Sequence, residues 1–462
     1  MFIGREYELQ ELNNRYQRKT FEFLPFYGRR RVGKTALIKE FIKDKKAIFY
    51  TATESGKNQN LRGLSSAIFE TMTGNVTDIS YNSYEAALDA VLEQSKKERT
   101  VFVIDEYPYL VQSYKAISSI LQKYIDLKYK DTDLFIILCG SSMSFMEYQV
   151  LGYKSPLYGR RTGQFKIEPF GFYESLQFHT NFSREEQAII YGLTGGIPRY
   201  LEIINDKLSL KDNIISSFLK ADAMLFEEPA NLLNQELREP HTYNDIITAI
   251  AGGASKQSEI VTKSNIEGFD SSKCNKYLGA LISLRIVKKE QSILTANSKK
   301  SIYRLNDSMF RFWYRFVTGN IARIHLGHSE EIYRNIELYI SDFMGEVFEE
   351  ICKQWIWRKN SAQDLPFSIQ DCGRWWGTNP IKKAEQEVDI IAFDDNSKAI
   401  FCECKWSNEK VDNRVLKSLI DKSNMFDFNE KYYYLFSKSG FKSDIKQNTE
   451  KNIRLIEFID MC

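Results

Sequence analysis

The stretch Leu24 to Glu40, LPFYGRRRVGKTALIKE, constrains this chain more than any other. The apolar run Phe21 to Tyr27 predicts a strand, Gly28 a turn, and Ala36 to Ile42 a helix. Between strand and helix, Gly28, Gly33, Lys34 and Thr35 satisfy G-x-x-x-x-G-K-[ST]. Glycine lets the backbone close around a phosphate because no Cβ intrudes. The amides of Arg29, Arg30, Arg31 and Val32, with those of Gly33 to Ala36 at the helix start, then face the anion. Lys34 reaches the β- and γ-phosphates, and the Thr35 hydroxyl is of the type that holds Mg²⁺. The expectation is a nucleoside triphosphate bound with Mg²⁺.

The following residues build on that loop. Phe2-Ile-Gly-Arg-Glu6 precedes an amphipathic helix, Tyr7 to Arg18, and is placed to form a flap over the base. Ala47 to Thr53 predicts a second strand, with helices near Leu61 to Thr73 and Tyr84 to Lys97. Thr100-Val-Phe-Val-Ile-Asp105-Glu106 has the pattern of a buried parallel strand that delivers carboxylates to its C-terminal edge. Asp105 would orient the Mg²⁺ and Glu106 would act as base toward the attacking water. Leu134 to Ser142 predicts another buried strand, with Ser141 at its tip to sense the γ-phosphate. The loop Ser155 to Arg161 offers Arg160, and Gly195-Gly-Ile-Pro-Arg199 offers a second arginine beside the nucleotide. A guanidinium neutralises charge developing on a transferring phosphoryl group.

Taken in this order, Gly-Arg-Glu, the phosphate loop, Ile-Asp-Glu, Tyr-Gly-Arg and Gly-Gly-Ile-Pro-Arg resemble the archaeal-type ATPases within the AAA-like and STAND-like P-loop families. The resemblance covers residues 1–235. It implies an ASCE fold binding ATP and Mg²⁺ at Gly28 to Thr35, Asp105 and Glu106, with a γ-phosphate sensor near Ser141. It also implies an arginine contact from Arg160 or Arg199, supplied in cis or by a neighbouring copy in a homo-oligomer.

The P-loop domain is expected over residues 1–205 and a helical lid over 206–238. Residues 239–306 predict three helices and a two-stranded wing, a winged helix-turn-helix. Its third helix would turn Ser272, Lys273, Asn275 and Lys276 outward, with Lys299 and Lys300 on the wing. Such a face contacts double-stranded DNA through phosphates and base edges, or serves only to pack against neighbours. Residues 307–340 are expected as linker helices, with the aromatic stretch Asp307 to Val317 forming a dry helix between domains.

From residue 341 to 462 the pattern changes again. Ser341 to Arg358 predicts a helix, residues 360–380 a loop or edge structure, and Glu387 to Phe393 and Lys398 to Trp406 a hairpin. If Asp394 faces Lys398, Asp389 falls opposite Glu403, and Lys405 shares their side. Two carboxylates that close repel unless a cation bridges them, and Mg²⁺ suits such oxygen ligands. Lys405 would orient a water or neutralise a scissile phosphate. The arrangement resembles the PD-(D/E)XK nuclease fold in its E-x-K form. That resemblance implies an acid on the preceding helix, Glu349, with Glu346 as reserve.

The expected fold is therefore α/β: an ASCE, AAA-like P-loop NTPase with helical lid, winged helix and C-terminal restriction-endonuclease-like domain. A length of 462 residues suits about three domains. The net charge of +2 excludes a global basic field, though not local basic surfaces. Seven scattered cysteines without a C-x-x-C pair fit reduced thiols in the cytoplasm better than a disulfide framework. Charges arrive at once after Met1, unlike a secretory leader, and no apolar run approaches the ~18 residues of a membrane helix. Two functions follow. One is an ATPase whose cycle moves a DNA-interacting winged helix and a nuclease-like domain. The other is a non-cleaving nucleotide switch or scaffold that binds DNA or protein.

Overall fold

Runs of apolar, β-branched and aromatic residues near the N-terminus form five strands of one sheet: β1 (Glu22–Tyr27), β2 (Ala47–Thr51), β3 (Val101–Asp105), β4 (Phe135–Gly140) and β5 (Phe165–Lys166). In the computed structural model, which describes residues 2–75, 79–294, 301–379, 382–447 and 450–462, their order is β2-β3-β4-β1-β5, with parallel pairing. β1, β3 and β4 are buried throughout because helices cover both faces. Phe23, Ile104 and Leu138 fill one side, and Leu24, Val103 and Ile137 the other. Pro25 lies inside β1, where a missing amide would ordinarily break a ladder. Its neighbours Phe23 and Tyr27 bond toward the β5 side, to Thr162 and Ile167, so Pro25 faces that side too, where β5 is only 2 residues long.

The chain forms two compact units. The first comprises residues 1–169 and 197–199, and the second residues 170–196 and 200–462. This differs from a single P-loop domain over 1–205. Phe170, Ile190, Leu201 and Ile204 build a core of their own within the second unit.

In the second unit, helices Leu210–Phe218 and Glu228–Glu236 occupy the expected lid region. Helices Pro240–Ala251, Gln257–Lys263 and Ser271–Ser283 are followed by the antiparallel pair β6 (Val287–Glu290) and β7 (Ile302–Leu305). Asp270 caps the third of these helices through the Lys273 amide. Lys299 and Lys300 lie outside the described residues. The aromatic helix Ser308–Phe316 is dry as expected, with Met309, Phe310, Phe312, Trp313, Tyr314 and Phe316 buried.

The C-terminal sheet contains β8 (Asp371–Asn379), β9 (Ala384–Phe393), β10 (Lys398–Lys405), β11 (Glu430–Ser437) and β12 (Ile453–Glu457), in the order β12-β11-β10-β9-β8. β8–β9–β10 is antiparallel and β10–β11–β12 parallel, the helix Asn413–Ser423 crossing between β10 and β11. One expectation is met in part and one needs correction. Residues 360–380, expected as loop or edge structure, include the nine-residue edge strand β8, whose pattern is masked by its glycines and by an irregularity between Gly373 and Trp375. The boundary expected at residue 341 falls inside one continuous 33-residue helix, Ser329–Ser361. Among the described residues no helix is long and apolar enough to cross a membrane.

Candidate nucleotide and carboxylate sites

Strand order decides what gathers at the first site. The C-terminal ends of β1, β4 and β3 lie side by side, bringing the loop after β1 to the same edge as Ser141 and the Asp105–Glu106 pair. Gly33 takes a left-handed conformation, φ 87°, and caps the helix Lys34–Ile42. Gly28 is required for a second reason: a Cβ there would stand 2.2 Å from the Ile167 carbonyl oxygen, just past β5. The buried Lys34 Nζ donates to the carbonyls of Gly28 and Arg29 at 2.8 and 2.9 Å, so the ammonium spans the mouth of the loop.

The Thr35 hydroxyl donates to Asp105 Oδ2 at 2.9 Å. A hydroxyl and a carboxylate in contact are the hard oxygen donors that Mg²⁺ accepts, and the pair fits that ion. Asp105 Oδ1 accepts the Glu106 amide. Glu106 itself has φ 51°, a left-handed conformation that is costly for a residue with a Cβ, and it turns the chain directly into the helix Tyr107–Ser113. Its Oε2 accepts the Ser141 hydroxyl at 2.9 Å. Ser141, expected to sense phosphate, is thus in contact with the expected base.

The two arginines differ. The Arg199 amide donates to the Arg31 carbonyl at 3.4 Å, and the neighbouring Pro198 Cγ lies 3.8 Å from where a Gly33 Cβ would be. Residues 197–199 therefore pack on the phosphate loop. Arg160 forms a bidentate pair with Asp126, at 2.8 and 2.7 Å, and donates to the Pro156 and Tyr158 carbonyls. To contact a phosphate it must first leave Asp126. The Gly-Arg-Glu segment has a role that the sequence did not reveal. Arg5 is buried, has φ 66°, and donates to the Val32 and Glu168 carbonyls, clipping the N-terminus to the phosphate loop. A charged residue beside an apolar Phe-Ile-Gly run is the signal that could have found it.

The second site lies in the C-terminal sheet. β9 and β10 pair Ile390 with Cys402 and Phe393 with Ala399, a register that sets Asp389 opposite Glu403. Asp389 Oδ2 accepts the Cys404 amide at 2.8 Å, so its side chain continues the ladder where the backbone pairing stops. Cys402 and Cys404 face inward and are buried. Glu403 is held by two ammonium groups, Lys405 at 2.7 Å and Lys422 at 3.1 Å. Lys422, on the helix Asn413–Ser423, had no sequence signal because only the crossover brings it there.

Electrostatics mark the same place. Burial, then the Glu403 charge, pushes Asp389 up to about 6. Burial, then the Asp389 and Glu346 charges, pushes Glu349 up to about 8. Burial pulls the Lys405 ammonium down, but the Glu403 carboxylate more than offsets this and holds it above its ordinary value, which favours a fixed cation over a proton acceptor. Glu346, the reserve acid, is bound by Arg304 at 2.6 Å and Arg311 at 2.7 Å. Among the described residues no cluster of three or more His, Cys, Asp or Glu is placed to hold a metal. Asp389 and Glu403 thus stand as a two-carboxylate pair, with Glu349 close enough to feel Asp389.

On the expected DNA-contacting helix, Ser272, Lys273, Asn275 and Lys276 are all exposed, and Lys273 Nζ donates to the Gly268 carbonyl.

Residues 2–204 match a family described as an ATPase domain predominantly from Archaea, and residues 313–416 match a family of archaeal and bacterial proteins of unknown function. An uncharacterized protein of Methanocaldococcus jannaschii is 33% identical over 454 residues, which cover 97% of each chain. A second protein of that organism, described as an uncharacterized ATP-binding protein, is 46% identical over 46 residues, 10% of this chain and 78% of the other. Among solved structures, a Walker-type ATPase of Pyrococcus abyssi is similar over 68% of this chain and 96% of its own, at 19% identity and a TM-score of 0.53, a likeness of fold.

Proposed function

The chain belongs to the archaeal-type P-loop ATPase family, and from that premise we propose that it binds MgATP at Gly28 to Thr35 and hydrolyses it with Glu106 as base. The observation that carries this reading is the 2.9 Å contact between Thr35 and Asp105 beside a lysine that spans the phosphate loop. In the proposed cycle, the loop amides and Lys34 grip the triphosphate, Thr35 and Asp105 hold Mg²⁺, and Glu106 orients and deprotonates water. Bound Mg²⁺ supplies charge neutralisation on the phosphate oxygens. Arg199 is the better-placed arginine in cis, and Arg160 serves only when released from Asp126, for example toward a neighbouring copy in a homo-oligomer.

The nucleotide state then acts on a winged helix at residues 239–306, which contacts double-stranded DNA through Lys273 and Lys276, and on a nuclease-like domain carrying Asp389, Glu403, Lys405 and Glu349. Calorimetry with MgATP tests the first step. Lys34→Ala should abolish the binding heat, and Glu106→Gln should retain binding while losing turnover. An unchanged titration with Lys34→Ala would end this reading.

A second reading is favoured by the two lysines on Glu403: a carboxylate already neutralised needs no metal, as in a nucleotide switch that binds nucleic acid without cutting it. Plasmid incubated with the protein and Mg²⁺ or Mn²⁺ separates the two. Cleavage lost in Glu403→Ala and Lys405→Ala supports the nuclease, and intact plasmid supports the switch.

A further inference from the structure

Within the second unit lies an open cleft of about 910 Å³ that neither nucleotide binding nor the expected DNA helix uses. Its walls come from β7, the aromatic helix, the long helix Ser329–Ser361 and strands β8 and β9. Five cationic side chains line it, Lys256, Arg304, Arg311, Arg315 and Arg374, against two anionic ones, Glu346 and Glu387. Glu259, Glu290 and Asp342, just outside the lining, offset the difference in charge, so what the cleft offers a ligand is unused donors rather than net charge.

Each of the five is ion-paired: Lys256 with Glu259, Arg304 with Glu290 and Glu346, Arg311 with Glu346, Arg315 with Asp342, and Arg374 with Glu387. Their donors are nevertheless not all used. Arg311 and Arg374 each keep a buried Nε with no acceptor among the described residues. Buried guanidinium N–H groups left unmatched are costly, and phosphate oxygens are their natural acceptors. The half-buried Trp376 also lines the cleft and adds an aromatic face of the kind on which bases stack.

The cleft runs toward the carboxylates. Glu387, on its wall, and Asp389 lie two residues apart on one face of β9. Glu346, also on its wall, and Glu349 lie one turn apart on the long helix. Two independent elements therefore step from the cleft to the same acidic centre.

We propose that this cleft binds single-stranded nucleic acid, with arginines on its phosphates and Trp376 on a base, and leads it to Asp389 and Glu403. The inference rests on the reading that the C-terminal domain handles nucleic acid. A volume in the range of small-molecule sites takes a few nucleotides of an unpaired strand. A duplex keeps its base faces inside the stack, so Trp376 can stack only on an unpaired base.

The test is anisotropy of the full chain with a labelled short oligothymidylate, its uridylate counterpart and a duplex of equal length, across a salt series. The unpaired strands should bind at least about tenfold tighter than the duplex. Arg374→Gln and Arg315→Gln should each weaken binding and flatten the salt slope by about 0.7. Trp376→Leu should weaken it roughly tenfold and Trp376→Phe should restore most of that. Lys96→Gln, which removes an exposed charge in the first unit, should change nothing. Equal affinity for duplex, competition by heparin with no effect of Trp376→Leu, or indifference to all three cleft variants would each overturn the proposal. If binding instead depends on Lys273 and Lys276 alone, the cleft assignment fails while the nucleic-acid reading stands. If no nucleic acid binds in any nucleotide state, both fail.

Discussion

Ser141 and Glu106 show how one hydrogen bond can change the role assigned to a residue. In the sequence, Ser141 is a hydroxyl at a strand tip, suited to touch a phosphate. In the fold its hydroxyl sits on the carboxylate that would act as base. We expect Ser141→Ala to lower kcat for ATP hydrolysis roughly tenfold, since a base left to wander loses part of its 10²–10⁴ contribution. KM should move much less, and steady-state kinetics separate the two. A raised KM with unchanged kcat would return Ser141 to phosphate binding. Glu349 and Asp389 make a second prediction. Glu349 is raised from 4.5 to about 8, so the folded state holds a proton that the unfolded chain has already released. The associated stability is present below about 4.5 and is lost as pH rises through about 8. Thermal unfolding of Glu349→Gln should therefore depend less on pH over that window than the parent does. A divalent cation needs these acids ionised, so Mn²⁺ should bind more tightly at about pH 8 than at about pH 6 in calorimetry, where Glu349 holds its proton and Asp389 is about half protonated. Binding that is equal at both would remove the carboxylates from the metal site.

At the scale of elements, the phosphate loop was legible because it is local: strand, glycine, lysine and helix start are contiguous, and the observed β1 and Lys34–Ile42 helix follow the apolar pattern closely. The hairpin was legible for the same reason. Its turn residue Asp394 accepts the Asn396 and Lys398 amides, and this fixes the register that opposes Asp389 to Glu403. β8 was legible only as loop or edge structure. Its ladder rests on β9 and, at its other edge, on Ile293, whose amide donates to the Arg374 carbonyl, while the Ser292 hydroxyl donates to the Trp376 carbonyl and accepts its amide. Partners that distant in sequence leave no local period. Element packing also explains Gly28 beyond its phosphate role. Gly28→Ala should destabilise the first unit by about 1–3 kcal/mol, because the added methyl meets the Ile167 carbonyl at a backbone that has nowhere to go. Denaturant unfolding measures this without nucleotide. A variant as stable as the parent would show that only the phosphate requires glycine there.

For the whole molecule, the division into two units predicts two unfolding transitions in calorimetry. MgATP should raise only one of them, by the ~2.7 kcal/mol that a ligand at a hundredfold its Kd contributes. A single transition shifted as a whole would mean that the units unfold together. By itself the sequence determined the phosphate loop, the acidic strand end, the order of the main elements and the opposed acids of the hairpin. Each depends on the period of a strand or helix, or on a tight turn, and such constraints act between near neighbours in the chain. Only the tertiary structure decided that Arg5 clips the phosphate loop, that Arg160 is engaged by Asp126, that Lys422 shares Glu403, and that five cations and Trp376 meet in one cleft. Those outcomes depend on which elements become neighbours, and that is set by burial of apolar faces across the whole chain, which no local stretch encodes.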